Sequence, residues 1–309
     1  MVRLPSMARS TPQLVCDSGV MSLPCSPTIV TFPTGAVKGI ATVRRVDPSP
    51  EGAVVTVDST PFHPVDHTWP DQPGDSGVLR AGDATVAVSE ALMAAVSEDG
   101  SFAVGSEIPV KRGAEGWTWL VAHRLEGDAP DWLVPGVSVD LAVDETRRAR
   151  LSRGHTACHL ASLALDRVVA DLWRKDPGTD ALGAPDFEGR ANQSSRIHED
   201  GAVDEYRLGK SLRRAGFDTE TFAASLAARE AAINAQLAVW VASGAVSRIV
   251  ADGATIVDRR RWECDLAEGT ARILCGGTHV SSLGAFTSIS VSLDLADPQL
   301  LVMTTTARA

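Results

Sequence analysis

Lysine is almost absent from this chain. Of its 29 basic residues 25 are arginine, set against 39 acidic ones for a formal net charge of −10. Such an acidic balance disfavours broad, sequence-independent adhesion to nucleic acid, while leaving room for a local basic patch. Cysteine is sparse and odd in number: Cys16, Cys25, Cys158, Cys264 and Cys275 are scattered and make no disulfide framework. No apolar run approaches the roughly 18 residues of a membrane span. Near the N-terminus Pro, Ser, Thr and Gln interrupt every apolar stretch, which argues against a secretory leader. The single Tyr and the surplus of Ala over Lys read as composition bias and carry no functional weight. What remains is the expectation of a reduced, cytoplasmic, soluble protein with neither a membrane nor DNA as partner.

A hydrophobic content of 44% and a charged content of 22% suit a globular chain with a sizeable core. At about 150 residues per domain, the 309 residues suggest two domains. Residues 1–26 mix Pro, Ser and short apolar pieces without a period and read as a mobile extension. From Thr28 onward come short β-type runs: Thr28–Phe32, Gly39–Val46, Gly52–Asp58, Gly77–Leu79, Ala84–Val88, Ser101–Val104, Glu107–Lys111, Trp117–Arg124 and Val137–Val143. Short strands with Gly, Pro and Asp turns predict a small barrel or sandwich over 27–145. A helix follows from before His155 to about Trp173, then a polar connection from Lys175 to about Asp204, then an Ala-rich helix Phe222–Val241. Strands are expected at Ser247–Val250, Thr255–Asp258, Ala271–Leu274 and Thr287–Asp294. The fold class is therefore α+β, an N-terminal β-barrel followed by an α/β metal-binding domain over 146–309.

The chemistry concentrates in two short segments. In His155-Thr156-Ala157-Cys158-His159 two imidazoles stand four apart on one helix face, about 5–6 Å between Cβ atoms. Such pairs arise often by chance, and no Glu follows His155, so the pattern is not that of a zinc-peptidase helix. Cys158 points away from His159 and is expected to be a buried apolar thiol. The second segment, Cys275-Gly276-Gly277-Thr278-His279, has a strand delivering the thiol and two glycines allowing a tight turn. Alone it is a Gly turn with a buried Cys and a surface His. Joined to the helical pair it completes three imidazoles and one thiolate, a set that suits zinc.

These residues carry a resemblance. His155-Thr-Ala-x-His159-Leu followed by Cys275-Gly-Gly-Thr-His279 resembles the metal signature of the editing domain of alanyl-tRNA synthetases, of the free-standing AlaX trans-editing proteins, and of a similar domain in threonyl-tRNA synthetases. It extends upstream to Pro61-Phe62-His63-Pro64 and Gln72-Pro73-Gly74-Asp75-Ser76-Gly77-Val78-Leu79, and includes Val139-Asp140 and Asn234, so that it covers about residues 28–290. No stretch looks like an aminoacylation, anticodon or oligomerisation domain, which implies a free-standing protein. The resemblance implies zinc-dependent hydrolysis of the ester that joins a wrong amino acid, serine or glycine, to the terminal ribose of alanine tRNA.

Under that resemblance His155, His159, Cys275 and His279 are the metal ligands, with His279 the fourth or exchangeable one. Gln72 and Thr278 would orient the substrate, and the backbone N–H groups of Gly276 and Gly277 would hold an oxyanion. His63, His67, Asp75, Arg153 and Thr156 are the substrate-binding candidates; Arg153 either meets a terminal phosphate or pairs with a nearby Asp. Where the family has consecutive glycines before the Gln, this chain reads Val65-Asp66-His67-Thr68-Trp69-Pro70-Asp71, so the accepted acyl group is open. His63 and His67 share the i, i+4 spacing, but Pro61, Pro64 and Pro70 preclude a regular helix, and a pocket-lining loop is expected instead of a second metal pair. Residues 185–216 match the family poorly. Their Arg207, Lys210, Arg213 and Arg214 are either a solvated helix face or an RNA-backbone contact. Two alternatives to a tRNA deacylase stay open: a hydrolase or acyl-transfer enzyme acting on a small aminoacyl ester or amide, and a non-catalytic binding module with zinc as a structural clip.

Overall fold

The structure, a computed structural model, describes residues 26–309, so the expected extension 1–26 lies outside the described residues except for Ser26. In chain order the first half carries β1 (Ile29–Val30), β2 (Lys38–Ser49), β3 (Gly52–Val57), β4 (Ser59–Thr60), β5 (Gly77–Ala81), β6 (Ala84–Ser97), β7 (Phe102–Val104), β8 (Trp117–Leu125) and β9 (Ser138–Val143). β5 pairs with both β9 and β6, and the intervening pairs are β9–β2, β2–β3, β3–β8 and β8–β6. The antiparallel pairing thus runs around a circuit of six strands, with β7 attached outside it to β6. Apolar residues alternate inward along these strands, and Val43, Val55, Leu79, Met93, Val121 and Leu141 are almost wholly buried in one cluster.

The second half opens with α1 (Glu145–Val168), followed by α2 (Glu188–Ala191), β10 (Asn192–His198), β11 (Gly201–Arg207), α3 (Lys210–Ala215), α4 (Thr219–Ala224), α5 (Leu226–Ser243), β12 (Ser247–Ala251), β13 (Arg260–Leu266), β14 (Gly269–Leu274), β15 (Ser288–Asp297) and β16 (Leu300–Arg308). Two sheets result, β10-β11-β16-β15 and β12-β13-β14. α1 and α5 pack against each other and against the first sheet. A second large cluster, including Leu160, Leu165, Tyr206, Trp240, Trp262 and Met303, forms their core. Mixed helices and sheets agree with the expected class. No described helix is long and apolar enough to cross a membrane.

α1 starts where Asp144 caps it, its carboxylate accepting the Arg147 N–H at 3.0 Å. Gly154 interrupts an otherwise strong helix former, a cost of about 1 kcal/mol against Ala. Its reason is spatial: a Cβ there would lie 2.4 Å from the His198 carbonyl and 2.6 Å from that of Gly201. The β10–β11 turn therefore presses onto the helix one residue before His155.

That hairpin corrects the expectation of an irregular connection over 175–204. Its residues are polar and its pattern weak, but β11 is held along its full length by β16, about a hundred residues downstream. Glu107–Lys111 and Thr255–Asp258 were expected as strands and are turns and loop; Asp258 instead closes a local turn by accepting the Thr255 N–H at 2.7 Å. The helix over 222–241 breaks at Ser225 into α4 and α5. The halves are joined by main-chain bonds from Val30 N to Ala254 O at 2.8 Å and from Ile256 N to Thr28 O at 3.0 Å.

Candidate metal centre

The two ligand segments meet. His155 and His159 project from α1, Cys275 follows β14, and His279 lies at the end of the glycine turn, with one ligand atom of each within 4.8 Å of all the others. Cys275 Sγ stands 3.4 Å from His155 Nε2 and 3.3 Å from His279 Nε2. Zinc with ordinary sulfur and nitrogen bond lengths spans a tetrahedral edge of about 3.5 Å. The Nε2 of His159 is buried and has no hydrogen-bond partner, as expected of an atom meant for a ligand. Indole and imidazole rings pack beneath: Trp262 lies 5.2 Å from the His159 ring and 5.6 Å from that of His279. The cluster could hold a metal ion, and its donors are consistent with zinc.

Hydrogen bonds decide which nitrogen of each imidazole is free. The Thr278 backbone N–H donates to Gln72 Oε1 at 3.0 Å, so that oxygen is an acceptor. His155 Nδ1, 2.7 Å from the same oxygen, must then carry the proton, leaving Nε2 with its lone pair. Thr156 Oγ1 spends its one hydrogen on the Ser152 carbonyl at 2.8 Å, so it accepts from His279 Nδ1 at 3.2 Å, and His279 Nε2 is likewise free. Partners of this kind orient ligands and fix their tautomers. Burial holds all three imidazoles neutral, His155 down to about 3 and the others well below their usual range. The Cys275 thiol is pushed the other way, up to about 12, by the same burial. Only a bound cation would keep it a thiolate at neutral pH.

The remaining candidates divide into supports and cavity walls. Gln72 and Thr278 are buried in the support of His155: Gln72 Nε2 donates to Thr278 Oγ1 at 2.9 Å, and Ser152 Oγ donates to the same oxygen at 2.9 Å. Thr156 supports His279 and donates nothing to a ligand. Gly277 is demanded by crowding, because a Cβ would fall 2.3 Å from the His155 ring. Its N–H points at Cys275 Sγ at 3.4 Å. Gly276 has room and faces the cavity. Asp75 is 1% exposed and binds the Arg148 guanidinium and the His63 N–H, which ties the Gln72 loop to α1. Arg153 pairs with Asp200 at 2.6 Å on the β10–β11 turn, the second of its two expected roles. His67 Nε2 donates to the Val110 carbonyl at 2.9 Å and its ring lies tilted against Trp119, away from the metal cluster. His63 does line the cavity, edge-on to Phe32. Asn234 pins α5 to β15 through both its amide atoms.

A cavity of about 340 Å³ opens beside the cluster, at the small end of the range for small-molecule sites. One side is cationic: Arg112, paired with Asp66 at 3.1 Å, and Arg260, whose guanidinium lies over the Phe32 ring. Trp69 and Leu274, 47% and 76% exposed, stand at its mouth. Asp71, missed by sequence reasoning, puts Oδ2 3.6 Å from His155 Nε2. Burial is the main cause raising its carboxyl to about 6. The signal was available, since this Asp stands directly before Gln72 where glycine was expected.

No protein-family model matches the chain. Its similarity is to a segment of alanine–tRNA ligases. It is 29% identical over 244 residues to the alanine–tRNA ligase of Cupriavidus necator, which covers 79% of this chain and 23% of that enzyme. With the alanine–tRNA ligase of Methanopyrus kandleri it shares 43% identity over 56 residues, 18% of this chain and 6% of that enzyme. The chain thus spans under a quarter of the length of the curated relatives it matches.

Proposed function

We propose that the chain is a zinc-dependent hydrolase that deacylates mischarged aminoacyl-tRNA, of the type resembled by its metal motif, with Ser- or Gly-charged alanine tRNA as substrate. The observation that carries this reading is the cluster of three neutral imidazoles and one thiol, tautomers set for a metal, beside a cavity. Similarity to alanine–tRNA ligases over most of the chain supports the tRNA part. Bound at this cluster, zinc would polarise the ester carbonyl and make water nucleophilic near neutral pH.

The chain's own residues supply the rest. Asp71 stands where it can take the proton of the attacking water, and a carboxyl raised to about 6 is a serviceable base at neutral pH. The water oxygen bonds to the acyl carbon, the acyl–oxygen bond breaks, and the proton passes to the departing ribose hydroxyl, giving a free amino acid and uncharged tRNA. Arg112 and Arg260 offer positive charge to the phosphate of the terminal nucleotide, and Trp69 offers a face for its base. Arg207, Lys210, Arg213 and Arg214, on or beside α3, provide further exposed positive charge for the RNA backbone. In this reading 27–145 is a small-barrel domain closed by the six-strand circuit, and 146–309 is the metal-binding domain.

The acidic loop beside Gln72 favours one alternative, a hydrolase of small aminoacyl esters that ignores tRNA. Tritiated Ser-, Gly- and Ala-charged tRNA, assayed beside the corresponding aminoacyl methyl esters, separates the two. Release of serine or glycine but not alanine from tRNA supports the deacylase; intact tRNAs with turnover of the methyl esters support the alternative.

A further inference from the structure

The loop before Gln72 has two sides. Asp66, Thr68, Trp69 and Asp71 line the metal cavity, while Val65, Asp66, His67 and Pro70 line a second cavity of about 470 Å³. Successive residues of β6 divide in the same way, Met93 toward the first and Leu92 toward the second. Asp66 borders both, and between them it shares a smaller hollow with Thr68 and two cations, Lys111 and Arg112. Nothing in the chemistry above uses the second cavity.

Its walls are apolar, from Val54, Leu92, Phe102 and Val104, with two polar side chains set among them. The His67 side chain is 3% exposed, and its Nε2 donates to the Val110 carbonyl, so in the neutral ring Nδ1 keeps the lone pair. That Nδ1 is buried without a hydrogen-bond partner; the Asp66 carboxylate, 3.9 Å away, is itself an acceptor. Arg124 pairs through Nη1 with Glu51 at 2.9 Å, yet its Nε is a buried donor with no partner. The lining thus leaves one acceptor and one donor unsatisfied, a cost that a fitting ligand removes. Of the carboxylates at the rim, Asp47, Glu51 and Asp66 are paired with Arg45, Arg124 and Arg112, and Glu107 is exposed to solvent.

A flat ring that presents a donor and an acceptor along one edge satisfies such a lining. Cytosine does so: its exocyclic amine donates, and its ring nitrogen and carbonyl accept. Uracil places a carbonyl oxygen where that amine stands, which would set two acceptors against each other at His67 Nδ1. Single-stranded RNA ends are read in this manner, by hydrogen bonds to base edges held against apolar or aromatic walls. We propose that the second cavity binds the cytosine that precedes the terminal adenosine of the charged tRNA, with His67 and Arg124 as its specificity-determining residues. The proposal rests on the deacylase reading for the source of the base. The phosphate assigned to Arg112 joins these two nucleotides, and Lys111 beside it extends the positive charge along the path between the cavities.

The test compares Ser-charged alanine tRNA carrying cytidine or uridine directly before the terminal adenosine, hydrolysed by the zinc-loaded full chain. The cytidine form is expected to have a kcat/KM about tenfold or more above the uridine form, because sites built around polar groups reject analogues lacking the partner. His67→Phe, which keeps a ring of similar shape, should bring the ratio toward one, and Arg124→Gln should lower it in the same direction. A ratio near one in the unaltered protein, or a ratio unchanged in both variants, overturns the proposal while leaving deacylation intact. If no tRNA is hydrolysed, the deacylase reading fails, and calorimetry with cytidine monophosphate against uridine monophosphate decides the cavity separately. Tighter cytidine monophosphate binding that His67→Phe abolishes sustains the base site; equal or absent binding overturns it.

Discussion

The two halves of the molecule contribute to the site in different currencies. All four candidate ligand atoms come from the second half, two from one helix turn and two from one glycine turn. Part of what surrounds them comes from the first half: Gln72 holds the His155 tautomer, Asp71 stands beside its free nitrogen, and His63, Trp69 and Arg112 line the approach. A ligand set can be spelled within five residues because helix and turn geometry bring it together locally. A cavity wall is assembled from loops whose meeting depends on the whole fold. On the proposed reading, metal binding and substrate choice are separable, and mutations on the two sides should separate them.

The largest effect is expected from the ligand side. Cys275→Ala should leave zinc below one tenth of an equivalent by metal analysis and lower deacylation by about 10³-fold or more, with the circular dichroism of the folded chain retained. Full zinc and activity in that variant would break the comparison at its root. Next comes Asp71→Asn from the other half, which should cost about 10²-fold in kcat while zinc content stays near one equivalent. Loss of zinc together with activity would make Asp71 a ligand instead of a base. Gln72→Ala, a first-half residue acting on a second-half ligand, should weaken zinc binding about 10–100-fold in competition with a chelator. An unchanged Kd would mean that His155 needs no help from across the seam.

The smallest effect sharpens the protonation states. Burial keeps the three imidazoles neutral and holds the Cys275 thiol protonated up to about 12. At pH 7 zinc then displaces one proton, from the thiol, so affinity should rise about tenfold per pH unit through the neutral range. Calorimetry in buffers of different ionisation enthalpy counts that proton. Release of two or more would place a charge on an imidazole before binding.

Legibility followed the same division. His155, His159, Cys275 and His279 were readable as a metal set because spacing and spelling are local, and the capped, Ala-rich α1 was readable for the same reason. The β10–β11 hairpin was not, because its partner β16 lies far downstream and supplies the order that its own polar residues lack. Gln72 and Thr278 were expected to orient a substrate; in the structure they bond to each other across 206 positions and Gln72 bonds to His155, contacts that only the fold reveals. Gly277 was expected to make a tight turn; that its missing Cβ makes room for His155 shows only in the fold. Asp71 showed in the sequence only as a departure from the expected glycines; its place beside His155 Nε2 comes from the fold.

The most direct test of the account is release of serine from Ser-charged alanine tRNA by the full chain, measured after chelation and again after one equivalent of zinc is restored. The account predicts activity that falls at least a hundredfold on chelation and returns with zinc. Rapid release that is indifferent to the chelator, or no release from the zinc-loaded protein, would contradict it.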